Sequence, residues 1–204
     1  DVYKRQTYIN ADLWVLGRVL GPAAVGTYSL ARTLASMPSD KIVTVLTGVT
    51  NGYIANAKSD REALKRIYLS LTHGIALITA LPLAGLAATA DLAVPVLLGD
   101  RWIEVAAPLR FLCVGAFLWS LNSAAFQVAA NAEKIRTLSI SSAAAVPFSL
   151  VIYYAGAHLG GTTGAAAAYI AVVLFVATPV VSLANQTSGT SWGEYFSAHL
   201  DAAK

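Results

Sequence analysis

Three long stretches of this 204-residue chain carry no Asp, Glu, Lys or Arg: 24 residues between Arg66 and Asp91, 22 between Arg110 and Glu133, and 57 between Arg136 and Glu194. An α-helix rises about 1.5 Å per residue and the hydrocarbon core of a bilayer is roughly 30 Å thick, so about 20 apolar residues cross it. The first two gaps each fit one crossing, and the third fits two with a turn between them. That turn falls at 158–164 (HLGGTTG), the Gly-rich polar break inside the gap. The spacings predict membrane helices over 67–90, 111–132, 138–157 and 164–185.

Composition excludes the alternatives. Hydrophobic residues make up 56% of the chain, charged residues only 12%, and the mean hydropathy is +0.61. A soluble domain carries about 25% charged residues, so this chain has too few to cover a soluble surface. The single Cys113 excludes an intrachain disulfide, and His73, His158 and His199 have no metal-ligand spacing. A net charge of +3 without a run of five like charges gives no support to nucleic acid as a partner. The fold class read from this is all-α, a multi-pass membrane helix bundle.

The first sixty residues divide at Gly21-Pro22, a helix stop followed by a residue suited to a new first turn. A short helix over 7–20 precedes it. A pattern over 23–57 follows, about 50 Å if fully helical and longer than a bilayer is thick, with Pro38-Ser39 as the expected bend. Six segments result. Residues 1–6 (DVYKRQ) do not look like the entry to a helix and are set aside as a non-native stub, which makes the chain a fragment. The segment 91–110 is too charged to span and reads as an interfacial or re-entrant piece, with Trp102 at headgroup level.

Loop charges set the orientation. Lys58, Arg61, Lys65, Arg66, Lys134, Arg136 and Lys204 fall at alternate connections or in the tail 188–204. The opposite side, with Arg110 counted in its helix, has only Arg101. Basic residues stay on the cytoplasmic side, so both ends are expected there, with three short hairpins facing outward.

Four colinear stretches carry a resemblance: 11–22 (ADLWVLGRVLGP), 24–31 (AVGTYSLA), 95–102 (PVLLGDRW) and 107–112 (APLRFL). Together they resemble the second half of bacterial polysaccharide flippases of the multidrug/oligosaccharidyl-lipid/polysaccharide exporter superfamily, nearest to the group exporting O-antigen, exopolysaccharide or colanic-acid units. The resemblance spans roughly 8–190. It implies two six-helix lobes around a central cavity, of which this chain supplies the second and lacks the N-terminal one. It also implies transport of undecaprenyl-diphosphate-linked oligosaccharide across the bacterial inner membrane by alternating access, with membrane lipids as surroundings and no cofactor or metal.

Ionisable groups at membrane depth cost about 2.5–3.5 kcal/mol on insertion scales and each requires a reason. Asp12, Arg18, Arg32, Asp40 and Lys41 all lie in the first two segments. In the second, Ser29, Arg32, Thr33, Ser36, Ser39, Asp40, Thr44, Thr47, Thr50 and Asn51 fall on one face. Such a face borders either a wet cavity or packed neighbours. Under the resemblance, Arg32, Asp40 and Ser36 are cavity residues, with Asp12, Arg18, Lys41 and Gln127 as further candidates. The Arg32 guanidinium suits a diphosphate; its other reading is an ion pair with Asp12 or Asp40. Arg18 and Lys41 also suit interfacial anchors. Gln127 belongs to a second stripe, Ser120, Ser123, Gln127 and Asn131, which fits interhelical hydrogen bonds as well as sugar contact.

No enzyme motif is present: neither GxSxG nor HExxH, and no carboxylate pair within one turn of a span. A cationic-drug antiporter of the same superfamily is the rival reading, and three basic against two acidic groups at depth favour an anionic cargo over it. A membrane-embedded sugar transferase is the third, with only Asp60, Glu62 and Glu133 to serve it in the cytoplasmic loops.

Overall fold

The computed structural model describes residues 10–57, 60–131 and 135–200. The proposed stub, the start of the first helix, Lys58, Glu133, Lys134, Asp201 and Lys204 lie outside the described residues. Among the described residues the chain is helical, without a strand: α1 (Ala11–Val19), α2 (Pro22–Asn56), α3 (Arg61–Ala88), α4 (Ala90–Leu98), a 3-10 segment (Asp100–Val105), α5 (Ala106–Asn131), α6 (Ile135–Ser188) and α7 (Trp192–Leu200).

Local chemistry sets the boundaries. Gly21 takes φ 85°, a left-handed conformation that suits a residue without Cβ, and Pro22 then opens α2 with its φ already helical. Pro38 lies inside α2 without ending it. The Asp60 side chain accepts from the backbone N–H groups of Glu62 and Ala63, both at 3.0 Å, and caps α3. That cap carries α3 six residues beyond the apolar stretch, because helix geometry does not stop where hydrocarbon stops. The segment 91–110 runs through α4 and the 3-10 turn, with Arg101 stacked over Trp102 at 5.2 Å, and its last five residues, 106–110, open α5.

α6 is two helical arms. Gly160 (φ −145°) and Gly161 (φ 58°) leave the helical region at the Gly-rich break. The arms then fold back on each other. Phe148 stacks on Phe175 with ring centroids 4.0 Å apart, and a Cβ built on Gly156 would lie 2.6 Å from the Gly164 carbonyl oxygen. Small residues here let the two backbones touch, the usual basis of helix contact where lipid is as apolar as Leu.

Among the described residues, three helical segments are long and apolar enough to cross a membrane: Arg61–Ala88, Asp100–Asn131 and Ala145–Ser188, the last containing the Gly160-Gly161 break. The protein is an all-α membrane protein. α1 has nine residues described, about 13 Å of helix. α2 is long enough at 35 residues, but its polar face and its charges set it apart from the apolar three.

Among the described residues three packed clusters fill the bundle, the smallest of them joining Ala11 of α1 to Tyr153, Val172 and Val176 of α6; the two larger ones lie at opposite ends. One gathers Leu16, Tyr28, Val94, Leu109 and Leu112 near the Gly21 end. The other gathers Ile54, Tyr68, Ile75, Val128 and Val180 near the basic connections. α7 closes that second end. Ser191 and Glu194 form a reciprocal capping box, with Glu194 Oε2 accepting from the Ser191 N–H at 2.8 Å and Ser191 Oγ accepting from the Glu194 N–H at 3.2 Å. Lys65 Nζ donates to Glu194 Oε1 at 2.6 Å, and Tyr195 stacks on Tyr68 at 5.9 Å. The Lys65 hydrogen bond, helped by the two from Ser191, pulls the Glu194 carboxyl down to about 2.

Candidate functional site

The site begins with a buried charge. Asp12 sits in the first turn of α1 and is 1% exposed. Its carboxylate is fully engaged: Arg32 Nη1 donates to Oδ1 at 3.0 Å and Oδ2 at 2.8 Å, Tyr28 Oη donates to Oδ2 at 3.1 Å, and the Leu13 N–H donates to Oδ1 at 2.8 Å. Tyr28 and Arg32 are one turn apart on α2, so both reach α1 from the same face. Of the two carboxylates open to Arg32, Asp12 is the partner. Asp40 lies two turns further along the same helix, about 12 Å away along the axis.

The same helical row continues into a cleft. Arg32, Ser36 and Asp40, spaced four apart, form its α2 wall. α5 contributes Leu112, Ala116 and Trp119, and the two arms of α6 contribute Tyr153, Tyr169, Val172 and Val173. The cleft volume is about 330 Å³, at the lower end of the roughly 300–1,000 Å³ common for ligand pockets. The Arg32 side chain is 25% exposed. It therefore faces two ways, toward Asp12 and toward the cleft.

Of the seven candidates, three line this cleft and Asp12 holds one of the three in place. The other three lie elsewhere. Arg18 is exposed in the last turn of α1, and Lys41 is exposed, off the cleft. Gln127 Nε2 donates to the Thr47 carbonyl at 3.1 Å and so ties α5 to α2. Two more of its stripe reach other helices, while Ser123 donates to the Ser120 carbonyl of its own helix. Asn131 donates to Asn51 at 3.1 Å, and Ser120 meets Thr79 of α3 at 3.3 Å.

The polar face of α2 is also divided in use. Thr33, Ser39, Thr44, Thr47 and Thr50 each donate to a carbonyl three or four residues back on their own helix. Hydroxyls satisfied this way need neither water nor a partner helix. Only Arg32, Ser36 and Asp40 of the ten face residues line the cleft.

Sequence reasoning missed Tyr28, Trp119, Tyr153 and Tyr169. Tyr28 had a signal, its four-residue spacing from Arg32. The other three come from three helical segments that only tertiary packing brings together. Among the described residues no group of three His, Cys, Asp or Glu side chains is placed to hold a metal ion.

Fold and cleft together define a class, the multi-pass helical membrane protein with a charged cleft between its helices. The chain belongs to the family described as polysaccharide biosynthesis protein, which matches residues 4–107. It is 28% identical over 166 residues to a membrane protein of the cps region of Klebsiella pneumoniae, covering 80% of this chain and 34% of that one. It is 30% identical over 118 residues to the lipopolysaccharide biosynthesis protein WzxC of Escherichia coli, covering 57% of this chain and 24% of the relative. The teichuronic acid biosynthesis protein TuaB of Bacillus subtilis is 28% identical over 109 residues, covering 53% and 23%. The chain thus spans no more than about a third of these relatives' length. No solved structure matches.

Proposed function

We propose that this chain forms the second lobe of a polysaccharide flippase in a bacterial inner membrane, one that moves undecaprenyl-diphosphate-linked oligosaccharide from the inner to the outer leaflet without enzymatic chemistry. The single observation that carries the reading is the placing of Arg32, backed by a buried carboxylate yet open to a cleft between the helices. In this reading the guanidinium meets the diphosphate, Ser36 and Asp40 meet hydroxyl groups, and the polyprenyl tail stays in lipid. An N-terminal lobe of the same transporter supplies the opposite wall. Rocking of the two lobes then exposes the cleft to one leaflet at a time. The lobe has six membrane segments, with α1 the shortest, and both ends face the cytoplasm. The supports are the alternating basic connections and the family's part in polysaccharide biosynthesis.

The test is genetic and must respect the ion pair. Removing Arg32 alone strands a buried carboxylate, a change that costs about 3–5 kcal/mol in stability. The full-length parent is therefore expressed in a flippase-null bacterium as wild type, D12N and the double variant D12N/R32Q. Wild type and D12N are expected to restore surface polysaccharide. The double variant, present in the membrane at equal level, is expected to restore less than a tenth of it. Normal polysaccharide with D12N/R32Q removes Arg32 from the mechanism, and failure of the wild-type parent counts against the flippase itself.

A further inference from the structure

The cleft is as aromatic as it is charged, and the aromatic part is built with care. Leu112, Gly115, Ala116 and Trp119 follow the three-four spacing of one helix face on α5. Gly115 is buried, and a Cβ added there would fall 2.5 Å from Tyr169 Cε1 and closer still to Cδ1. The Tyr169 ring thus lies against the α5 backbone in space that any larger residue would occupy. Ala116 keeps the floor of the cleft low on the next residue. One turn on from Gly115, Trp119 rises as a wall that is 39% exposed. Tyr153 closes the cleft from the first arm of α6.

A pyranose ring is itself two-faced. Its axial C–H bonds form an apolar patch, and its hydroxyls ring the edge. Large, stiff aromatic side chains bind such a surface well, since they offer apolar area at little entropic cost while polar groups at the rim take the hydroxyls. Here the rim groups are Ser36 and Asp40, and the cleft volume of about 330 Å³ holds a short part of a glycan but not a long chain.

We propose that Trp119 and Tyr169, the latter seated on Gly115, form a pyranose-stacking subsite beside Arg32, through which the cleft distinguishes a sugar-bearing polyprenyl diphosphate from the bare carrier lipid. The proposal rests on the diphosphate reading of Arg32 and adds the discrimination that charge alone lacks. Arg32 recognises what both lipids share. The aromatic walls recognise what only the loaded one carries.

The test measures binding of two probes to the purified full-length parent in nanodiscs: undecaprenyl diphosphate, and the same lipid bearing one hexose. Wild type is expected to bind the hexose probe about tenfold more tightly, the scale of one to two good stacking contacts. W119L keeps apolar bulk without a ring and is expected to abolish that preference. W119F is expected to keep most of it, and G115A to reduce it by displacing Tyr169. W14F, a change to an exposed Trp outside the cleft, is expected to alter neither affinity. Equal binding of the two probes by wild type overturns the subsite, as does an undiminished preference in W119L, and either result leaves the diphosphate reading standing. If wild type binds neither probe, the flippase reading falls and the subsite falls with it.

Discussion

The two ends of this bundle hold their polar groups in opposite ways. At the Gly21 end, the buried Asp12 carboxylate has four donated hydrogen bonds and a countercharge. At the basic end, the Tyr68 hydroxyl, the Thr72 hydroxyl, the Gln127 amide oxygen and the Asn185 amide are buried with no hydrogen-bond partner among the described residues. That end is joined by single contacts: Lys65 to Glu194, Arg61 Nη2 donating to the Gln186 carbonyl at 2.7 Å, and the Gln127 and Asn131 amides donating to α2. The difference separates a locked region from one with slack. The Asp12 carboxylate, 2% exposed in its side chain, is costly without its cation, whereas Arg32 is a quarter exposed to the cleft. A neutral unpaired group costs about 1–3 kcal/mol, less than a stranded buried charge.

The contrast is broken most violently at the locked end. R32A is expected to lose about 3–5 kcal/mol of stability, while D12N/R32Q recovers most of it, because the partner's charge goes too. Thermal unfolding in detergent of the two variants checks this; equal loss in both would mean that the stranded carboxylate is not the source of the R32A loss. G156A comes next. Its methyl group meets the Gly164 carbonyl and the Ala168 side chain, 2.6 and 2.9 Å away. Overpacking of this kind costs about 1–3 kcal/mol, and the same unfolding measurement reads it. A smaller effect of opposite sign is expected at the slack end. N185L replaces an unpartnered buried amide with an apolar group of similar size and should raise the unfolding temperature.

The smallest effect is at the tail. Glu194 has a folded-state pKa depressed to about 2, so its contribution to docking α7 is fully present above the ordinary carboxylate range. It is lost as pH falls from that range toward 2. Protection from hydrogen exchange over 192–200, taken relative to the intrinsic amide rate at each pH, should stay high at pH 5 and fall near pH 2, and E194Q should show the lower protection already at pH 7. Identical exchange for E194Q and wild type at pH 7 would detach α7 from this contact.

The long apolar helices were legible because charge is excluded from hydrocarbon, although the sequence count is six spans and three helical segments among the described residues are long and apolar enough to cross. The gaps before Asp91 and Glu133 locate α3 and α5 within a few residues, and Gly160-Gly161 marks the fold-back of α6. What the gaps could not mark is where a helix runs on past the apolar zone. α3 begins at Arg61 because Asp60 caps it, a signal of hydrogen bonding and not of hydropathy. Within the site, the charged residues of α2 were legible from cost alone. Which carboxylate holds Arg32 was open, since helical spacing brings neither Asp12 nor Asp40 into contact with it; the packing of α1 on α2 decides for Asp12. Trp119, Tyr153 and Tyr169 were invisible, because an aromatic residue in an apolar helix looks the same whether it meets lipid, core or cleft.

The most direct measurement is flipping itself. The full-length parent is reconstituted in vesicles with a fluorescent undecaprenyl-diphosphate-linked hexose, and exposure of the lipid to a membrane-impermeant quencher is followed over time. Wild type and D12N are expected to equilibrate the probe between leaflets, and D12N/R32Q to leave it as slow as in protein-free vesicles. Wild-type rates from the double variant would contradict the account, since the cleft would then move its cargo without the cation placed to bind it.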